Sequence, residues 1–141
     1  MDTSFINTLK FEEIFSNKGF AKYGDSLVNF IYNAAIFRVK SELQGRKVWD
    51  SCLAEACKKS PLRSYAGSRK NKGELGDVVE AFIGYVHLAN KATVDQLIDI
   101  LVLFLKHENN QEERNEHELC SAAFNHLINQ LCNQLGIEEK D

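Results

Sequence analysis

A chain of 141 residues with 44% hydrophobic and 26% charged residues has ordinary globular composition and is long enough to bury a core, so one domain is expected over 1–141. A net charge of −3 excludes a bulk basic field, so a nucleic-acid partner needs a local basic patch. The N-terminus lacks the basic start and apolar run of a signal peptide, and the longest apolar stretch, Ile98–Leu105, is interrupted by Asp99 and too short for a bilayer, so a cytoplasmic protein with no membrane contact is expected.

One proline and eight glycines leave few breaks, which predicts long helices and no strand. The first helix is expected over about Thr3 to Phe15, where Phe5, Ile6, Leu9, Ile14 and Phe15 fall near helical spacing, with Gly19 as a left-handed stop. Leu27, Phe30, Ile31, Ala34 and Ala35 predict a second helix over Phe20–Leu43, ended by Gly45. A shorter one follows over Val48–Lys58. Ser60–Gly73 holds the one proline and reads as irregular. A central helix is expected from Lys72 to about Leu88; its mid-helix Gly84 costs about 1 kcal/mol against alanine and suggests close approach of another backbone. Thr93 and Gln96 make a capping-box pattern that opens a helix apolar nearly all round, the expected buried spine. Glu108–Glu118 is polar, and a last helix runs over about Leu119–Leu135 to a cap at Gly136. Cys52, Cys57, Cys120 and Cys132 form neither a C-x-x-C pair nor zinc-ribbon spacing, and read as buried thiols in a reducing compartment.

Chemistry concentrates in the central helix. Asp77 and Glu80 stand three residues apart, on the same side of the helix, where two like charges repel. They make either a solvated acidic edge or half of a cation site, and carboxylates suit Mg²⁺, which takes one or two from a protein and keeps several waters. The stretch before it carries Arg63, Arg69, Lys70 and Lys72 with Tyr65 and no acid, which is either a solvated loop or a set of cationic donors beside an anionic site. Other motifs fail: His117-Glu118 begins H-E-x-x-H, but position 121 is Ser; no glycine-rich phosphate loop or nucleophile elbow is present.

A second carboxylate lies upstream in Phe20-Ala21-Lys22-Tyr23-Gly24-Asp25-Ser26-Leu27-Val28, which resembles the ribonuclease III signature L-E-F-L-G-D-A-V-L. The central Gly76-Asp77-Val78-Val79-Glu80-Ala81-Phe82-Ile83-Gly84 is similar to that family's second motif, A-D-x-x-E-A-L-I-G. The resemblance implies an all-α, ribonuclease III-like helical endonuclease domain, without a double-stranded-RNA-binding domain, in which carboxylates from two helices bind Mg²⁺, with Mn²⁺ able to substitute. It carries Asp25, Asp77 and Glu80 over as catalytic and metal-binding residues and makes Arg63, Arg69, Lys70 and Lys72 the candidates for RNA contact.

Two departures stand out. The first acid of the signature falls at Ala21, as in the Mini-ribonuclease III branch, and the chain also resembles small archaeal ribonuclease III-like proteins. Lys22 replaces the apolar side chain through which ribonuclease III dimers plug their partner, although a homodimer remains the expectation because the family's duplex groove lies between two subunits. The implied activity is hydrolysis of phosphodiester bonds in double-stranded or structured RNA, leaving 5′-phosphates. The alternative is a member that retains the RNA surface without cleavage, serving as a scaffold.

Overall fold

The computed structural model describes residues 4–109 and 114–141, and among these the regular structure is helical, with no strand. Six α-helices follow in order: α1 (Phe11–Ile14), α2 (Lys18–Lys40), α3 (Asp50–Lys58), α4 (Lys72–Leu88), α5 (Val94–Asn109) and α6 (Glu116–Leu135). Short 3₁₀ turns at Ser4–Thr8 and Pro61–Tyr65 precede α1 and α4. No helix is long and apolar enough to cross a membrane among the described residues.

The centre of the molecule is α4, which packs against both α2 and α3; α6 closes over α3, and α5 bridges α2 and α6. Ten residues of α4 are buried, including Val78, Val79, Phe82 and Ile83, which meet the core from one side while Glu80 and Gly84 face α2. Its start is fixed by a capping box: the Glu74 N–H donates to the Asn71 side chain at 2.8 Å, and the Asn71 N–H donates back to Glu74 at 3.4 Å. Such reciprocal caps satisfy donors that the first helical turn otherwise leaves orphaned.

The predicted Thr93–Gln96 box is present, with Thr93 N–H to Gln96 at 2.8 Å and Gln96 N–H to Thr93 at 3.1 Å. Gly136 takes the left-handed cap of α6 at φ 70°. The four cysteines are buried free thiols.

Several expectations need correction. The N-terminal segment divides into a 3₁₀ turn and the single turn of α1, and Thr3 lies outside the described residues. Gly19 is not a stop: it sits inside α2, because the Asn17 side chain accepts the Phe20 N–H at 3.1 Å and starts the helix there. The end of α2 comes at Lys40, before Gly45, with Ser41 in the left-handed conformation at φ 58°. The spine is α4 rather than α5, whose Leu103 is 70% exposed. Ser60–Gly73 is more ordered than expected: Pro61 opens a 3₁₀ turn whose first free N–H, that of Leu62, is accepted by the Ser60 hydroxyl at 3.2 Å. The last helix starts at Glu116, and residues 110–113 of the polar stretch lie outside those described.

Candidate active site

Two glycines set the site. A Cβ on Gly24 would lie 1.7 Å from the Glu80 carbonyl oxygen, and one on Gly84 would lie 2.7 Å from the Phe20 carbonyl oxygen and 3.2 Å from the Gly24 nitrogen. Real Cβ atoms essentially never come within 3.0 Å of a neighbour, so the 1.7 and 2.7 Å approaches mean that α2 and α4 touch backbone to backbone at this crossing. Asp25 follows Gly24 directly, and Glu80 is itself the residue Gly24 touches; the crossing alone therefore brings the upstream acid to the central pair. Asp77, one turn earlier on α4, completes the group.

Asp25, Asp77 and Glu80 line one pocket of about 250 Å³ together with Lys18, Ala21 and Lys22. Positions 18, 21, 22 and 25 share one face of α2, since helical neighbours recur at three and four residues. Ala21 therefore opens into the same space, at the place where the signature has its first acid.

The electrostatics are those of crowded anions. Glu80 is 6% exposed, and burial, reinforced by the neighbouring Asp25, Asp77 and Asp50 carboxylates, pushes its pKa up to about 9. It holds its proton at neutral pH and gives it to a hydrogen bond with Asp25, which together with Lys47 draws the Asp25 carboxyl below the usual range. Asp77 is shifted upward, first by burial and then by Asp50.

Two of these neighbours carry no motif. Asp50 opens α3, with its carboxylate 3.7 Å from where a Cβ on Gly76 would stand, beside the start of the acidic pair. Lys47 comes from the segment between α2 and α3, and its ammonium reaches both Asp25 oxygens, at 2.9 and 3.2 Å.

That segment is held by two asparagines one turn apart on α2. The Asn29 side chain accepts the Val48 N–H at 2.6 Å and donates to the Asp25 carboxylate at 3.1 Å. Asn33 accepts the Arg46 N–H at 3.2 Å and donates to the Arg46 carbonyl at 2.8 Å. The backbone on either side of Lys47 is thus pinned to α2. Sequence reasoning passed over Lys47 and Asp50; the one available signal was the Asp25-Asn29-Asn33 spacing, three polar residues at i, i+4 and i+8 within an apolar helix.

The basic stretch is partly committed to the fold. The Arg69 guanidinium donates to the Ala66 and Phe15 carbonyls at 2.9 and 3.0 Å, tying the α4 approach to the N-terminal segment. Arg63 is half-buried and reaches the Gly67 carbonyl at 3.4 Å. Lys70 and Lys72 are exposed.

The donor set suits a hard divalent cation: carboxylate oxygens only, with one glutamate kept protonated by its burial and by the neighbouring carboxylates. Among the described residues, no group of three or more His, Cys, Asp and Glu side chains stands ready-arranged to hold a metal. Asp25, held by Lys47 and Asn29, is turned to those partners.

The family model for ribonuclease III matches residues 18–137, which includes both carboxylate stretches and every helix from α2 to α6. The chain belongs to the ribonuclease III family. No curated protein matches it. Membership supports a ribonuclease-type function with RNA as substrate, in a family that generally uses a divalent metal.

Proposed function

We propose that the chain is an endoribonuclease that hydrolyses double-stranded or structured RNA with Mg²⁺, for which Mn²⁺ can substitute, leaving 5′-phosphate ends. The observation that carries this reading is the backbone contact of Gly24 with Glu80, which joins the two carboxylate stretches into one site. Glu80 is the central ligand, buried where a bound cation would replace its proton; Asp25 is the second; Asp77 ligates directly or orients a water. A divalent cation bound there supplies an acidified water as nucleophile and charge for the leaving oxygen. The chain's own contribution is to hold the carboxylates at a fixed separation and to surround them with cations that accept the RNA backbone.

Lys18 and Lys22 flank the pocket, while Lys70 and Lys72 stand exposed at the start of α4. Phosphate contacts of this kind fix a duplex by shape rather than by sequence, as A-form geometry requires. Replacing Lys70 and Lys72 together by alanine is expected to weaken duplex binding evenly across sequences and to lower the salt slope by about one unit per lost contact. Filter binding at several salt concentrations measures this, and unchanged slopes would remove the stretch from the interface.

A homodimer places two such sites along one duplex. Exposed Tyr23, Phe30 and Phe37, seven residues apart along α2, support a second copy against that helix. The four free thiols suit the reducing cytoplasm.

Ala21 favours one other reading, a scaffold that binds RNA without cutting it, because the site has one acid fewer than the signature. Incubation of the protein with duplex RNA and Mg²⁺ or Mn²⁺ separates the two. Cleavage that disappears in Glu80→Gln is the expected result; duplex retained intact at every metal concentration would establish the scaffold instead.

A further inference from the structure

The cationic group that stands closest to the acidic centre is Lys47. Its ammonium spans both oxygens of Asp25 at 2.9 and 3.2 Å, the same oxygens that a cation shared with Glu80 would need. The position is built rather than incidental. Asn29 and Asn33 pin the backbone at Val48 and Arg46, and Asn29 also steadies the Asp25 carboxylate. Asn29 therefore helps to place both the lysine and its acceptor, and Asn33 secures the backbone on the other side of the lysine. The side chains remain solvent-accessible, at 67% for Lys47 and 42% for Asp25, so the pair is exchangeable and not a locked structural bridge.

Resting on the metal-site reading above, we propose that Lys47 is an internal counter-cation of the carboxylate centre, which occupies Asp25 in the metal-free protein and is displaced when a divalent cation binds. Lys47 is a positioning residue: it acts through Asp25 by occupying the carboxylate oxygens that a cation shared with Glu80 and Asp77 would take. Like charges exclude each other from one pair of oxygens, so metal and ammonium compete. The ion exchange lets an anionic pocket persist without metal. It also means that metal uptake releases a lysine at the pocket edge, free to meet a phosphate of the RNA backbone.

The test is Mn²⁺ binding to the RNA-free protein, followed by the loss of the free-ion electron paramagnetic resonance signal. Wild type, Lys47→Met, Lys47→Arg and Glu80→Gln are compared. Lys47→Met is expected to bind Mn²⁺ about tenfold more tightly, as removal of a competing unit charge a few ångströms away predicts. Lys47→Arg, which keeps the charge, stays within about threefold of wild type. A purely structural role for the pair would leave affinity unchanged or weaken it in Lys47→Met. Either result, with Mn²⁺ bound by wild type and lost in Glu80→Gln, overturns the counter-cation role while leaving the metal site standing. Equal Mn²⁺ binding by wild type and Glu80→Gln, or none by wild type, overturns both.

Discussion

Glu80→Gln is expected to stabilise the metal-free protein at neutral and alkaline pH while abolishing its response to metal. The glutamate is buried among three other carboxylates, and its pKa stands at about 9 in the folded chain against 4.5 for a free side chain. Between those values the folded state keeps a proton that the unfolded state releases. Stability is therefore fullest below pH 4.5, falls as pH rises through the window and levels off above 9. Each unit corresponds to about 1.4 kcal/mol, so on the order of 3 kcal/mol is already lost at pH 7. Glutamine carries no proton to release and removes that slope. Thermal melts of both proteins from pH 5 to 9 measure it: wild type should lose stability across the range, and Glu80→Gln should stay nearly flat. Mn²⁺ should restore the wild type at high pH and leave the variant unmoved. Parallel pH profiles for the two proteins would show that Glu80 ionises normally and would remove its place at the centre of the site.

Gly24→Ala is the second large effect, and it is steric. A Cβ at 1.7 Å from the Glu80 carbonyl oxygen and 2.4 Å from its carbon meets backbone, which cannot rotate aside. The helices must separate, and overpacking of this severity costs about 3 kcal/mol or more, on the order of 10 °C in melting temperature for a domain of this size. Gly76→Ala is the matched control on α4. There the nearest atom to the new Cβ is the Asp50 carbonyl oxygen at 3.6 Å, so ordinary contact results, and the higher helix propensity of alanine should add about 0.5–1 kcal/mol. The two substitutions should move the melting temperature in opposite directions. Equal, small shifts would mean that α2 and α4 do not meet at these glycines.

The helical architecture was legible because periodicity and caps agree locally: Thr93 with Gln96 and Gly136 both mark ends that the structure confirms. The close approach at Gly84 was legible for a similar reason, since a glycine inside a helix is expensive without a neighbour to justify it. Its partner Gly24 belongs to the signature motif, but nothing local ties the two together; only the crossing does. The errors at Gly19 and Gly45 have one cause. A glycine is permitted to end a helix but not obliged to, and the Asn17 cap and the left-handed Ser41 decided the ends of α2. Lys47 was hard to read because its place depends on hydrogen bonds 13 and 19 residues apart in the chain, between Asn33 and Arg46 and between Asn29 and Val48, and Asp50 because it meets Gly76 only through the packing of α3 on α4.

Those amide bonds end on main-chain atoms, so they are indifferent to which side chain position 47 carries. The segment keeps its path whether that residue is basic, neutral or acidic. Local charge over the carboxylates is thereby separated from the packing that positions them, and a single codon becomes a dial for how strongly the centre attracts ions, adjustable without disturbing the helices beneath.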